Sequence, residues 1–175
     1  MPHWLQRLLS PQTIAIVGAS ERQGSLAEIT HNQLSESGYA GEIFSVNPRY
    51  QSLHGKACFA TLEDLPLVPD LVVYAISGAA LEQSFEQALQ LQVGGIMIYA
   101  ANYIENDPEP KLPERLRKSA REAGVPVCGG NSMGFYNFDH SVLVSFDRPP
   151  PHRPQGHIGM ILHSGSGMTL SLIHI

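Results

Sequence analysis

Short apolar runs alternate with longer amphipathic segments along most of the chain. The runs are Ile14–Val17, Ile43–Val46, Leu71–Ile76, Ile96–Tyr99 and Val125–Cys128. Each is apolar on nearly consecutive positions and rich in β-branched residues, which predicts strands buried on both faces of a sheet. Between them, apolar positions recur at helical spacing. Leu26, Ile29 and Leu34 form one face; Leu81, Phe85, Ala88 and Leu89 form a second; Leu112, Leu116 and Ala120 form a third. Pro113 fits only the first turn of that third helix. Thr61-Leu62-Glu63-Asp64 has the form of a capping box and predicts a further short helix. Strand and helix in alternation predict an α/β fold, a parallel sheet covered by helices on both faces. Right-handed crossovers then set every strand's C-terminal end on one edge, where ligands of such sheets bind.

The pattern breaks at Arg148-Pro149-Pro150-Pro151-His152-Arg153-Pro154. Consecutive prolines neither continue a helix nor pair inside a sheet. The expected organisation is a domain over 1–147, a Pro-rich linker over 148–157, and the start of a truncated second domain over 158–169. Ile158–Leu162 reads as the first strand of that second unit, and His163-Ser164-Gly165-Ser166-Gly167 as the turn after it. The last six residues, 170–175, resemble the translated end of a transposase-derived sequencing adapter and are expected to be a non-native tail.

Composition narrows the classes. The 175 residues are 43% hydrophobic and 15% charged, enough apolar surface for a sizeable core and too little charge for disorder. The net charge of −5 argues against a general nucleic-acid or anionic-membrane binder, which needs a basic face, while leaving room for a local pocket for a small anion. Cys58 and Cys128 are the two cysteines and have no metal-binding spacing; they read as small buried hydrophobes in a reducing compartment. No apolar run approaches the ~20 residues needed to span a bilayer, and no secretory signal is evident at Met1–Leu9, so the expected location is the cytoplasm. No metal ligand set is expected.

The strand ends carry the candidate chemistry. The first run leads into Gly18-Ala19-Ser20-Glu21-Arg22-Gln23-Gly24-Ser25. Gly18 lets backbone approach a ligand, and Gly24 at a helix start exposes N–H groups to an anion. The spacing is neither G-x-G-x-x-G nor G-x-x-x-x-G-K-[ST]. The second run leads into Asn47-Pro48-Arg49. An NAD site wants an acid there to hold the ribose hydroxyls; Arg49 favours an added phosphate instead. The 3′-phosphate of coenzyme A and the 2′-phosphate of NADP both meet that description. Small residues follow the later strands, at Ser77-Gly78-Ala79-Ala80, at Ala100-Ala101-Asn102, and at Gly129-Gly130-Asn131-Ser132-Met133-Gly134, and together predict a shared groove.

Leu9–Ser20, Gly41–Tyr50 and Gly129–Gly134 together resemble the N-terminal CoA-binding domain of NDP-forming acyl-CoA synthetases. That superfamily includes the succinyl-CoA synthetase α subunit and ADP-forming acetate–CoA ligases, and the likeness spans roughly Leu8 to Leu162. It implies a Rossmann-like CoA-binding domain followed by the first strand of a flavodoxin-like domain. The CoA contacts it implies are Gly18, Ala19, Ser20, Gln23 and Gly24 in the glycine loop, Arg49 after the N-P pair, Ile76 and Ser77, Tyr99, Ala100 and Ala101, and Asn131 of the G-P-N motif. Leu162-His163-Ser164-Gly165 resembles the S-x-S-G turn that opens the second domain. The sequence departs from the family pattern at Gly130, where the motif has proline, at Asn102, where it has glycine, and at Leu162, where it has serine.

The resemblance implies the CoA-binding part of an acid–thiol ligase that turns a carboxylic acid, CoA and ATP into acyl-CoA, ADP and phosphate. No catalytic residue is expected in this chain. The relay histidine, ATP and Mg²⁺ belong to ligase and ATP-grasp parts, in cis or in a partner subunit, and the fragment alone is expected to be inactive. His163 does not occupy the relay position, and Ser164 lacks the G-x-S-x-G context of a nucleophile elbow. Two alternatives remain open on the sequence: the CoA-binding domain of a protein lysine acyltransferase, and a non-catalytic CoA- or NADP-binding regulatory module.

Overall fold

The computed structural model describes residues 3–149, 156 and 159–174, with side chains described as far as 170. In chain order the elements are α1 (Gln6–Leu9), β1 (Thr13–Val17), α2 (Leu26–Glu36), β2 (Glu42–Val46), β3 (Ser52–Leu53), β4 (Lys56–Phe59), β5 (Leu71–Tyr74), α3 (Gly78–Gln90), β6 (Gly95–Ile98), α4 (Leu112–Ala123), β7 (Val127–Cys128), β8 (Gly134–Asn137), β9 (Val142–Ser145) and α5 (Gly165–His174).

A seven-stranded sheet runs in the order β3-β4-β2-β1-β5-β6-β7, and every pair in it is parallel except the β3–β4 hairpin. Strand alternation splits its apolar residues between two cores. Ala15, Val17, Val72, Tyr74, Ile96 and Ile98 face α3 and α4, where Leu81, Phe85, Leu112 and Leu116 meet them. Ile14, Ile16, Leu71, Val73 and Met97 face the other way, towards Leu8, Leu34, Val142 and Val144. Burial on both faces is why these strands read as unbroken apolar runs. The α/β, Rossmann-like fold is as expected.

Two strands are shorter than their apolar runs. The expected strand over 71–76 ends at Tyr74, although Ala75 N–H still donates to Val17 O at 2.9 Å. The run over 125–128 pairs only at Val127 and Cys128, since β7 lies at the sheet edge and Pro126 has no N–H to donate.

The apolar faces of α3 and α4 are buried as expected, with Pro113 in the first turn of α4 and Gly124 ending it at φ +70°. In α2 the buried set is Ala27, Thr30, Gln33 and Leu34, so Leu26 and Ile29 are only half-buried. Polar residues hold that face because distant partners satisfy them. The Thr30 and Tyr99 hydroxyls share a 2.7 Å hydrogen bond, and Gln33 Nε2 donates to Asp147 O at 2.9 Å.

Two hairpins have no counterpart in the periodicity reading. The β8–β9 hairpin is antiparallel and joins α2 in covering the second face of the sheet. The β3–β4 hairpin adds an edge beside β2. The expected helix after Thr61 does not form. Its capping contact is made, with Thr61 N–H and Oγ1 donating to Asp64 Oδ2 at 2.9 and 2.8 Å, but Pro66 lacks the N–H that a second turn requires.

Most of the expected linker, 148–157, lies outside the described residues. The strand expected over 158–162 is absent from its described part, 159–162, where backbone groups find no ladder partner and Ile161 is fully exposed. The chain instead forms α5, which includes residues 170–174 of the expected tail. Thr169 Oγ1 ties α5 back to Asp147 Oδ2 at 2.8 Å.

Candidate functional site

The strand order reverses direction between β1 and β5, so their following loops diverge to opposite faces and open a crevice at the C-terminal edge. Gly18 forms one wall at φ +85°, donating to Val46 O at 2.9 Å. A Cβ at residue 18 would lie 2.5 Å from Ile76 Cγ2, so the β1 and β5 loops touch here because residue 18 has no side chain. Ala19 is buried, and its carbonyl accepts from Asn47 Nδ2 at 2.8 Å. The same amide accepts the Arg49 N–H through Oδ1 at 3.0 Å. Asn47 thus joins the glycine loop to the Arg49 loop. Sequence reading used it only as part of the N-P pair.

Beyond Ala19 the loop presents donors. The backbone N–H groups of Ser20, Glu21 and Gln23 make no hydrogen bond among the described residues. Ser20 Oγ accepts the Arg22 N–H at 3.0 Å and so curls the loop. Gly24, at φ +75°, donates to Glu28 Oε2 at 3.2 Å, while Ser25 caps α2 by accepting Glu28 N–H. Glu28 therefore fills an anion position at the helix start, which the sequence reading had left to a ligand. The signal for it was present: Ser25-x-x-Glu28 is a capping-box spacing.

Arg49 and Ser77 are exposed at the crevice rim, and the Ser77 hydroxyl makes no cap bond to α3. Tyr99 turns its side chain away from the strand ends. Its side chain is buried against Thr30 and edge-on to the Phe146 ring, and burial raises its phenol well above the ordinary range. It shares strand parity with Met97, which points it to the α2 face rather than the crevice. Ala100 O instead receives the Asn131 N–H at 2.9 Å, clamping the loop after β7 to the end of β6.

Asn131, Ala101, Asn102, Gly129 and Gly130 line a cavity of about 850 Å³ that continues along α4 past Arg117 and Arg121. The expected residues therefore separate in space: Gly18, Ala19, Ser20, Gln23, Gly24, Arg49, Ile76 and Ser77 lie at the ends of β1, β2 and β5, Ala101 and Asn131 border the cavity beyond β6, and Tyr99 and Ala100 lie at the end of β6 between them.

A histidine pair flanks the glycine loop. His31 of α2 stacks on His54 with ring centroids 3.6 Å apart, and the backbone N–H of His54 donates to the Glu21 carboxylate. Burial, then the neighbouring His54, lowers the His31 imidazole below its ordinary value. Both cysteines are free thiols.

Residues 12–137 match the family described as CoA binding domain. The chain belongs to that family. This CoA-binding domain is 26% identical over 163 residues to the ADP-forming acetate–CoA ligase I of Archaeoglobus fulgidus, covering 93% of this chain and 23% of that protein. It is 29% identical over 166 residues to a trans-feruloyl-CoA synthase of an unknown prokaryotic organism, covering 93% and 24%. Its fold matches the dinucleotide forming acetyl-coenzyme A synthetase 1 of Candidatus Korarchaeum cryptofilum at a TM-score of 0.84 and 24% identity, covering 97% of this chain and 36% of that one. The chain thus spans about a quarter of the length of these curated relatives. It is a CoA-binding domain homologous to ADP-forming acyl-CoA synthetases, and the comparisons lend no support to the lysine acyltransferase reading or to that of a non-catalytic CoA- or NADP-binding regulatory module. Among the described residues no helix is long and apolar enough to cross a membrane.

Proposed function

We propose that this domain holds CoA across the C-terminal edge of the sheet for an NDP-forming acyl-CoA synthetase, whose full reaction joins a carboxylic acid to CoA with cleavage of ATP. The observation that carries the reading is the Gly18–Ile76 contact with Asn47 tying Arg49 to the same loop. The free N–H groups of Ser20, Glu21 and Gln23 suit a diphosphate; Arg49 suits the 3′-phosphate of the nucleotide end. From β2 to β6 is three strand spacings, about 14 Å. A ligand anchored by phosphate at β1 with its nucleotide towards β2 sends its other half over β5 to β6, where Ala101 and Asn131 stand. The domain's work is then to bind and orient the thiol carrier. Relay histidine, ATP and Mg²⁺ chemistry would come from ligase and ATP-grasp parts in cis or in a partner subunit, and the cytoplasm is the location that suits it. The two relatives act on different acids by name, so the acid is chosen outside the features shared here.

The test is thermal unfolding with CoA and with NAD. At 100 times its dissociation constant a ligand adds about 2.7 kcal/mol, which raises the midpoint by several degrees in a domain of this size. CoA is expected to do so and NAD is not. Stabilisation by NAD alone would overturn the reading.

A further inference from the structure

The seven-stranded sheet ends at β7, and the cavity beside α4 follows that edge from Gly124 to Asn131. Ile96 N–H donates to Pro126 O at 2.9 Å. In a parallel ladder that bond turns Pro126 and Cys128 towards β6 and points the N–H and C=O of Val127 outward. The N–H that Pro126 lacks is therefore missing on the paired side, and the open side is unguarded. No described strand lies beyond it. An unpaired edge is a template for a further strand, and native edges are commonly blunted by charge. Val125-Pro126-Val127-Cys128 carries none.

The walls define what such a strand would carry. Leu116, Ala120, Val125 and Val127 make an apolar floor, flanked by the exposed rings of Trp4 and Tyr103. The charged lining residues are Arg117 and Arg121, one helical turn apart on α4. Neither guanidinium makes a hydrogen bond or ion pair among the described residues, whereas Arg115 and Lys118 of the same helix both face carboxylates. Two unpaired cations on one wall, in a chain of net charge −5, complement a negative partner. We propose that this edge is a docking surface for an acidic, extended segment of another protein chain, which pairs with β7 through its backbone and sets carboxylates on Arg117 and Arg121. A second copy of this chain does not fit, because it would set one arginine pair against another. Gly124 and Pro126 stand at the start of β7, at the opposite edge of the sheet from the strand ends proposed to hold CoA, so the surface extends away from that site.

The chain's single tryptophan, Trp4, lines the groove and reports its occupancy by fluorescence. The probe is a blocked hexapeptide of alternating Glu and Val, about 20 Å when extended, titrated into the 175-residue chain. It is expected to shift the Trp4 emission saturably. The same peptide with Lys for Glu is expected to bind at least about tenfold more weakly, as is the Glu peptide to the Arg117→Gln/Arg121→Gln chain. Strand pairing has its own signature. Of two Glu-Val peptides, one N-methylated at its valines and one at its glutamates, one is expected to lose binding and the other to keep it, because alternate N–H groups face β7. Absence of a saturable shift at millimolar peptide would overturn the proposal, as would equal binding of the Lys peptide or of both methylated forms. Displacement of the peptide by glutarate, with the same Trp4 shift, would overturn it in favour of a small-acid site. CoA affinity of the double variant is expected to match wild type; a wild-type chain that binds the peptide but not CoA would overturn the proposed function and leave the docking surface standing.

Discussion

At the scale of single residues, the proposed site turns on what Gly18 lacks. A side chain there meets Ile76 at 2.5 Å and strains a backbone held at φ +85°. Gly18→Val is expected to abolish measurable CoA binding in calorimetry while circular dichroism still reports a folded sheet. Arg49→Ala is expected to weaken CoA less, by under about tenfold at physiological salt and more at low salt, because the guanidinium is exposed and screened. A second residue-scale prediction concerns pH. His31 has a lowered value in the folded chain, so the folded state resists a proton that the unfolded state accepts. Its contribution is complete above about pH 6.5 and is lost as pH falls through the folded-state value. Urea unfolding at pH 7.5 and 5.0 is expected to show lower stability at the acid pH, and His31→Gln to reduce that difference. Gly18 and Arg49 stood out in the sequence as candidates, because a glycine at a strand end and a cation where a dinucleotide site wants an acid each suggest a ligand, although packing and solvation also explain such residues. The roles of Asn47 and Glu28 did not, since an amide or a carboxylate in a loop acquires its meaning from the partner it reaches.

At the scale of elements, packing rather than periodicity decides which helix faces count. The spacing placed α3 and α4 correctly because their buried positions are apolar. In α2 it found Leu34 and Leu26 but not Thr30 and Gln33, which are buried through partners far along the chain. The missed hairpins share this cause. A short strand such as Val142–Ser145 is recognisable only when something lies across from it, here Gly134–Asn137 on one side and α2 beneath. The α3–α4 pairing has its own fastening. Arg115 holds Glu82 through Nε at 2.6 Å and Nη2 at 2.9 Å, and Asp107 through Nη1 at 3.0 Å. Asp107 also accepts the Leu112 N–H at the start of α4. Arg115→Ala leaves two carboxylates without their cation and is expected to lower the melting temperature, more than Lys118→Ala does at the exposed Lys118–Glu122 pair. CoA affinity is expected to stay within about twofold, because Arg115 lines neither the crevice nor the cavity.

At the scale of the whole molecule, the domain offers one reactant's site. With ATP, Mg²⁺, CoA and a panel of short acids, the chain alone is expected to form no thioester detectable by mass spectrometry, while still binding CoA; positioning one reactant gives none of the entropic advantage of bringing three together. Turnover would point first to His163 and Ser164. The sequence by itself determined the parallel sheet, its two buried faces and the glycine-rich loops at the strand ends, because burial on both faces writes itself as continuous apolar runs and close approach writes itself as glycine. It also carried the family. The tertiary structure alone decided where Tyr99 points, what Glu28 occupies and how closely Asn102 and Gly130 approach. Strand parity says that Tyr99 lies with Met97, but only the packed helices say which face that is. Asn102 and Gly130 are separated in sequence by α4 and β7, and the approach that would leave 2.5 Å between a Cβ at 130 and Asn102 Cγ exists only once the sheet brings the ends of β6 and β7 side by side.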